Sequence, residues 1–588
     1  QDLDGAERAF EHAIFLNPSF EQAFYNLGLT QQRLGKIELS ISNFQRALEL
    51  NPDAPETINN MGIAFAHCEK YDVAAACFQR ALELRADYAD AHGNLATVLA
   101  KQRRYDESIA HYRAAFRYDS TRENFLSGLL RQLQMTCEWG DVDELSQQVI
   151  ARVEHSLHDD SSSPIAPFDF LGIPVVTQPA QQKKCAERWT RGLSASAPTI
   201  RFAQRPRHRK ERITVGYLSS DFREHVIAYL VAGMFEQHDR TRFRIIGYSY
   251  GRDDGSEIRS RISQSVESFV DIHKHTPSEA AQTIWQDQVD ILVDLTGYTS
   301  SARSDILIPR PAPIQTSFLG YAGSMGAPFV DYLIADECVA PASEQSQFSE
   351  RLVHLPGCYY VNDRTESLLR DCNAALNRRE HGLNDHDFVF SCFNNHYKIT
   401  RQMFSAWMDI LKQIPNGVLW LLEACDASSR NLRLEAQKLG VSPDRLVFAP
   451  RRTLREHMVR NQLADLALDT LPYNGHTTTA DALRFGCPVL TIEGQTFSSR
   501  VASSMLRTVG LEDLIVTNTQ EYIQRAVSLA RTPRLLASLR EQLSQNLARS
   551  TLFDPRDFAK KLERAYELMF ENYVAGNDPQ PIYSAIGE

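Results

Sequence analysis

The sequence predicts a two-part fold: an all-α solenoid of helical repeats, followed by two α/β halves built on parallel sheets. Three observations predict it. Residue types recur at a shift of 34 through the first 120 positions, and two later series of short apolar runs alternate with helical stretches. Between them, from about 155 to 206, the text turns polar and rich in Pro and Ser. At 588 residues the chain has room for three or four domains of about 150 residues each. Its hydrophobic and charged fractions, 43% and 23%, are those of an ordinary globular protein. A net charge of −11 argues against nucleic acid or an anionic membrane as the main partner. No apolar run has the length of a membrane span, and no signal peptide stands at Gln1. The ten cysteines are scattered without a Cys-x-x-Cys pair, which favours neither zinc nor a disulfide framework and points to the reducing cytoplasm. Because the first residue is not Met, the start is expected to be trimmed.

In the repeat region Phe10, Phe44, Phe78 and Tyr112 share one column, and Ala13, Ala47, Ala81 and Ala115 share another. Leu27, Met61 and Leu95 form a third, Gly28, Gly62 and Ala96 a fourth, and Pro18 and Pro52 close their units. Small residues where helices cross, aromatics in the groove and a terminal Pro at this period resemble the tetratricopeptide repeat. Ala6, Phe10, Ala13 and Pro18 match only the second helix of a unit, so further repeats are expected before Gln1. The columns lapse after Ser120, which sets the repeats at 1–120 and a degenerate helical repeat and linker at 121–206. Asn26, Asn60 and Asn94 recur on the first helix of each unit, the helix that lines the concave face of such solenoids. A carboxamide offers both a donor and an acceptor, suited to the backbone of a protein or peptide partner; packing between units would use the same groups.

The first α/β half, 207–380, shows strands at 213–218, 243–250, 289–295, 314–319 and 332–334. The second, 381–575, shows them at 388–393, 418–422, 446–448, 466–469 and 489–492. Helical stretches between the strands imply parallel, Rossmann-like sheets with a cleft where their carboxyl ends meet. A closing helix at 557–573 is expected to pack across the halves, leaving 576–588 as a tail.

The stretch Asn474-Gly475-His476-Thr477-Thr478-Thr479-Ala480-Asp481 reads as a strand-to-helix loop. A helix opening there aims unpaired backbone N–H groups and the positive end of its dipole at the cleft. His476, Thr477 and Thr478 add donors and Gly475 permits close approach, so a phosphate is the fitting occupant. Asn and Thr are also ordinary helix caps, and the octet alone leaves that reading open. Asp481, five residues beyond His476, offers an acceptor to ribose hydroxyls. Lys398, after the first strand of the second half, can neutralise a leaving diphosphate. His225, in Ser219-Ser220-Asp221-Phe222-Arg223-Glu224-His225, can orient or deprotonate a substrate hydroxyl. The loop from Gly320 to Gly326 is flexible enough to approach a sugar. His457 can stack on a planar base and Arg460 can bond its carbonyl oxygens, although an amphipathic helix surface would look similar. No Asp-x-Asp metal signature stands at a strand end, so no metal or other cofactor is expected.

Together these segments resemble the protein O-GlcNAc transferases. The likeness rests on the repeats, Val215-Gly216-Tyr217-Leu218-Ser219-Ser220-Asp221-Phe222 with His225, and Arg310-Pro311-Ala312-Pro313-Ile314-Gln315 leading into Leu319-Gly320-Tyr321. It continues through Phe393-Asn394-Asn395-His396-Tyr397-Lys398, Gln462-Leu463-Ala464-Asp465 and Asn474-Gly475-His476-Thr477-Thr478. The resemblance implies a GT-B glycosyltransferase that moves GlcNAc from UDP-GlcNAc to Ser or Thr hydroxyls of proteins, with inversion and without a metal. The short repeat array implies a bacterial relative. It further implies that Lys398 and His225 are catalytic, with Lys398 on the diphosphate and His225 beside sugar and acceptor. Asn395, Arg452, His457, Arg460, His476, Thr477, Thr478 and Asp481 join Lys398 in holding UDP, and Leu319 and Gly320 touch the sugar. Asn395 and Tyr473 depart from the family pattern, and a basic residue near Leu454 is displaced to Arg455, which leaves sugar preference open. Transfer of a hexose to Asn, and a scaffold that only senses UDP-sugar, are the alternative functions.

Overall fold

The computed structural model describes residues 2–155, 164–196, 200, 202–203, 205–363 and 377–583. The Asp- and Ser-rich run at 159–163 lies outside them. The chain forms two compact units, residues 1–136 and a second that begins at Cys137.

The first unit is built from the helices Leu3–Leu16, Glu21–Arg33, Ile37–Leu50, Pro55–His67, Tyr71–Leu84, Ala89–Lys101, Tyr105–Tyr118 and Glu123–Met135. The sequence columns explain how they pair. Phe44 is fully buried, and its ring stands 2.7 Å from where a Cβ on Gly28 would be; Phe78 fills the same notch at Gly62. Each ring takes the space that the missing side chain leaves, which lets the helices approach at interior packing density. Ala47, Ala81 and Ala115 are likewise fully buried. Past Ser120, where the columns lapse, the packing continues: Tyr112 sits against Gly128 on the helix Glu123–Met135. Asn60 Nδ2 donates to Tyr25 Oη at 3.0 Å and Asn94 Nδ2 to Asn59 Oδ1 at 2.9 Å, each reaching back one repeat. Those two carboxamides therefore spend one N–H on packing between units. Asn26, like them, is half-buried.

The second unit carries two parallel sheets. The first consists of β1 Ile213–Ser219, β2 Phe243–Ser249, β3 Ser268–Asp271, β4 Ile291–Asp294, β5 Ile314–Ser317, β6 Tyr332–Ala335 and β7 Arg351–His354, in the order β3-β2-β1-β4-β5-β6-β7. The second consists of β8 Phe388–Cys392, β9 Gly417–Leu422, β10 Leu446–Ala449, β11 Leu466–Leu468, β12 Val489–Ile492 and β13 Ile515–Val516, in the order β10-β9-β8-β11-β12-β13. Every pairing is parallel; in β1 and β4 each residue is buried, as continuous apolar runs covered on both faces require. These are two Rossmann-type sheets in tandem, the GT-B arrangement.

Four features differ from the sequence reading. Strands β3, β7 and β13 lack an uninterrupted apolar run and were not anticipated. Residues 165–196, expected in a linker, contribute Leu171 and Ala186 to the core of the first half, and Thr190 Oγ1 bonds Met325 O at 3.1 Å. The closing helix, Pro555–Val574, returns to the first half: Phe558 stacks on Phe318, and Glu563 and Tyr566 reach His238 and Tyr217. Beyond it Ile582 joins the edge of β7, with its N–H on Leu352 O at 2.9 Å, so part of the expected tail is paired. Among the described residues no helix is long and apolar enough to cross a membrane.

Candidate active site

In a doubly wound sheet the loops on either side of the point where strand order reverses open a crevice at the carboxyl ends of the strands. That point lies between β1 and β4 in the first sheet and between β8 and β11 in the second. The loops leaving these four strands carry Ser219 to His225, Asp294 to Gly297, Phe393 to Lys398, and Asp469 to Thr478. Topology alone thus brings His225, Asn395, Lys398, His476, Thr477 and Thr478 to two crevices. The two halves meet around them: Thr477 Oγ1 and Tyr360 Oη lie 2.7 Å apart, Ser504 Oγ donates to Asp336 at 2.6 Å, and Arg500 pairs bidentately with Glu344 at 2.9 Å.

The second-half crevice is cross-braced. Asn394 Nδ2 donates to Asp469 Oδ1 at 3.1 Å and to Thr470 Oγ1 at 2.8 Å, while its carbonyl accepts from Thr478 Oγ1. Asp469 also accepts from the Gly475 N–H at 2.6 Å and from Thr491 Oγ1 at 2.7 Å; burial raises its carboxyl above the ordinary value. A Cβ on Gly475 would stand 2.6 Å from Thr478 Oγ1, 2.7 Å from Thr479 Oγ1 and 2.9 Å from Asn394 Oδ1, so the turn closes only with glycine. The helix Thr477–Arg484 opens on this loop with His476 as its N-cap, and no side chain caps it. Its first N–H groups and dipole are therefore aimed into the crevice. Lys398 Nζ donates to Asn474 O at 2.7 Å, which brings the ammonium beside that helix opening. His476 is driven well below the ordinary imidazole value by burial and then by the Lys398 charge, so it is neutral at pH 7. Asn394, Asp469 and Tyr360 escaped sequence reasoning; Asp469 at a strand end before the Asn-Gly turn was the one local sign.

In the first half His225 caps the helix Val226–Gln237, its Nδ1 accepting from the Ile227 N–H at 3.3 Å and standing 3.7 Å from Asp221 Oδ2. Burial lowers its pKa below the ordinary value, partly offset by the Asp221 carboxylate. Asp294, at the end of β4, accepts from the Thr296 and Gly297 N–H groups at 2.9 and 3.1 Å; burial pushes its carboxyl up to about 6. Leu319 has φ +70°, a strained setting for a branched side chain and one found preferentially at functional sites. At Gly320 a Cβ would meet Leu295 O at 2.1 Å, so the loop after β5 lies directly on the strand end of β4.

The remaining expected contacts are placed as follows. His457 packs edge-on against Phe393 with ring centroids 5.3 Å apart, and burial and then the Arg460 charge press its pKa down to about 4. Arg460 is 1% exposed: it bonds Pro450 O at 2.8 Å and His457 Nδ1, and its guanidinium lies 4.6 Å from the Phe393 centroid. Its Nε has no partner, so Arg460 supports His457 from beneath. Arg452 and Asn395 are exposed. Asp481 is 4% exposed inside the helix Thr477–Arg484, where burial raises its pKa to about 7. No group of three or more His, Cys, Asp or Glu among the described residues is placed to hold a metal ion.

Residues 136–376 and 371–562 match glycosyl transferase family 41, and residues 21–54 and 60–120 match tetratricopeptide repeats. The chain is 35% identical over 465 residues to the probable UDP-N-acetylglucosamine--peptide N-acetylglucosaminyltransferase SEC of Arabidopsis thaliana, covering 77% of this chain and 47% of that protein. It is 26% identical over 558 residues to the UDP-N-acetylglucosamine--peptide N-acetylglucosaminyltransferase of Caenorhabditis elegans, covering 75% and 48%. A solved structure of a mutant O-GlcNAc transferase from Thermobaculum terrenum superposes with a TM-score of 0.67 at 27% identity, covering 95% of this chain and 98% of that one. The chain spans about half the length of the curated relatives it matches. A match that takes in both sheets and every loop of the two crevices leaves one assignment: the chain belongs to glycosyl transferase family 41.

Proposed function

We propose that this protein is an inverting, metal-independent glycosyltransferase that moves GlcNAc from UDP-GlcNAc to Ser or Thr hydroxyls of proteins, with the repeats binding the acceptor. Its family and the names of its relatives support the donor and the acceptor class. One observation carries the chemistry: Lys398 Nζ, bonded to Asn474 O at 2.7 Å, stands beside the uncapped opening of the helix Thr477–Arg484. An ammonium, backbone N–H groups and a helix dipole converging on one place suit the charge that grows on a departing diphosphate. They do the work that a divalent cation does in other nucleotide-sugar sites. His476, Thr477 and Thr478 are assigned to the phosphates, with His476 neutral and so a donor or acceptor without added charge. His457, held upright by Arg460 and Phe393, is assigned to the uracil, with Asn395 and Arg452 at the open mouth and Asp481 toward the ribose. Leu319 and Gly320 are assigned to the sugar, and Asn26, Asn60 and Asn94 to the acceptor backbone.

Across the cleft His225 is assigned to the acceptor hydroxyl. To take a proton at Nε2, the ring must carry its own proton on Nδ1 and turn it from Ile227 toward Asp221, 3.7 Å away. Hydrogen bonds of this kind commonly tighten only when substrate arrives. The oxygen then attacks C1 of the sugar as the bond to UDP breaks, the proton passing to His225 and the charge to the Lys398 side. We place the protein in the cytoplasm, where its described cysteines, none of them in a disulfide, would stay reduced.

Calorimetric titration with UDP and UDP-GlcNAc in EDTA tests the donor assignment. Metal-free binding that weakens about a hundredfold in Lys398→Ala is expected for a direct electrostatic contact. Absence of binding to any uridine nucleotide would refute the reading.

A further inference from the structure

Tyr473 immediately precedes the phosphate loop, is 6% exposed, and has no part in the assignments above. Its ring centroid lies 4.1 Å from Lys398 Nζ, inside the range of a cation–π contact, while Tyr397 stands farther, at 6.0 Å. The same ring packs tilted on His476, centroids 5.0 Å apart, and edge-on to Tyr397 at 6.1 Å. Three restraints hold it still. Its carbonyl accepts from Thr470 Oγ1 at 2.7 Å, its ring belongs to the core cluster of the first half with Tyr321 and Met325, and the next residue bonds the Lys398 ammonium.

Lysine is a point charge on a flexible four-carbon stem, so where its charge sits depends on what holds the far end. Two of the groups that hold it are one carbonyl, Asn474 O, and one aromatic surface, Tyr473, in adjacent residues of the loop that precedes the helix opening. We propose that Tyr473 is a positioning residue: its ring is the seat that holds the Lys398 ammonium toward the donor's diphosphate before the donor arrives. This rests on the reading that Lys398 meets the diphosphate. The ring's faces carry the negative end of its quadrupole, so they favour the charged form of the lysine and need no proton or counter-ion. A neutral His476 on the same ring avoids a second cation competing for it. Tyr473 belongs to the same core cluster as Tyr321 and Met325 of the first half, which ties this seat to the loop assigned to the sugar.

The test uses the whole chain and the binding of UDP and of uridine, which shares the base and ribose but has no phosphate. Tyr473→Leu should weaken UDP about tenfold, within the range a desolvated cation–π contact supplies, and leave uridine binding unchanged. Tyr473→Phe, which keeps the ring and loses the hydroxyl, should recover most of the UDP affinity. In a Lys398→Ala background the Leu substitution should cost nothing further. UDP affinity unchanged in Tyr473→Leu overturns the proposal. So does an equal loss for uridine, which would mark a folding defect, or a Phe variant as weak as Leu, which would assign the role to the hydroxyl. A wild-type chain that binds no UDP overturns instead the reading beneath, and the proposal with it.

Discussion

At His225 the neutral ring has two tautomers to choose between, one served by the Ile227 N–H and one by Asp221. Burial makes the charged form harder to reach, so the ring stays neutral to a lower pH than a free imidazole of 6.5. If it takes the acceptor proton, kcat/KM should be level at neutral pH and fall with unit slope only below pH 6.5. An acid limb at or above 6.5 in a pH–rate profile would contradict the assignment. The neighbouring glycines act by what they exclude: Gly475 by the hydroxyls crowding its missing Cβ, Gly320 by the Leu295 carbonyl. His225, Lys398 and the His-Thr-Thr run were legible because each stands beside a strand end in a recognisable string. Asn394 and Tyr360 were not, since their partners stand 75 to 117 positions away, and Asp469, which also accepts from Gly475 nearby, showed only its place at a strand end.

The closing helix Pro555–Val574 is held to the first half by a buried chain of donors. Tyr566 Oη donates to Tyr217 Oη at 3.1 Å, Tyr217 Oη to His238 Nε2 at 2.8 Å, and His238 Nδ1 to Glu563 Oε1 at 2.9 Å, which also accepts from the Asp239 N–H at 2.7 Å. A neutral imidazole satisfies every member, and burial lowers the His238 pKa accordingly. Glu563→Ala would leave the buried His238 donor and the half-buried Asp239 N–H without this acceptor, at roughly 1–3 kcal/mol each and so about 2–6 kcal/mol together. A thermal-unfolding midpoint several degrees lower is expected, with a smaller fall in Glu563→Gln. Because the folded pKa lies below the unfolded one, the unfolded chain binds more protons in acid. The His238 contribution is present above the unfolded value of 6.5 and is lost as pH falls below it toward the lower folded value, by up to about 1.4 kcal/mol per pH unit. At this scale the sequence showed the central strands, whose apolar runs are continuous, and one edge strand, β10, and missed the other three edges. β3 is only half-buried and carries Ser268 and Asp271, β7 carries Arg351 and His354, and β13 has two residues. An edge strand faces solvent or a loop and needs no unbroken apolar run. The destination of the closing helix was equally hidden, since an amphipathic stripe shows that a face is buried and not against what.

At the scale of the molecule, the repeats and the two-sheet unit answer to different periods in the sequence, 34 residues against the strand–helix alternation, and each was legible because its pattern is repeated. The repeat unit offers Asn26, Asn60 and Asn94, two of them already bracing neighbouring repeats through one N–H. The two-sheet unit offers a crevice with a cation, an uncapped helix and a neutral histidine. The central claim is that these serve one reaction, the transfer of GlcNAc to a protein hydroxyl. The most direct test is to incubate the whole chain with UDP-GlcNAc, EDTA and a mixture of candidate acceptor proteins, and to map any added sugar by mass spectrometry with fragmentation that preserves the modification. The account predicts HexNAc on Ser or Thr, formed without metal and lost in Lys398→Ala. A hexose on Asn amides, transfer that requires a divalent cation, or undiminished transfer by Lys398→Ala would contradict it.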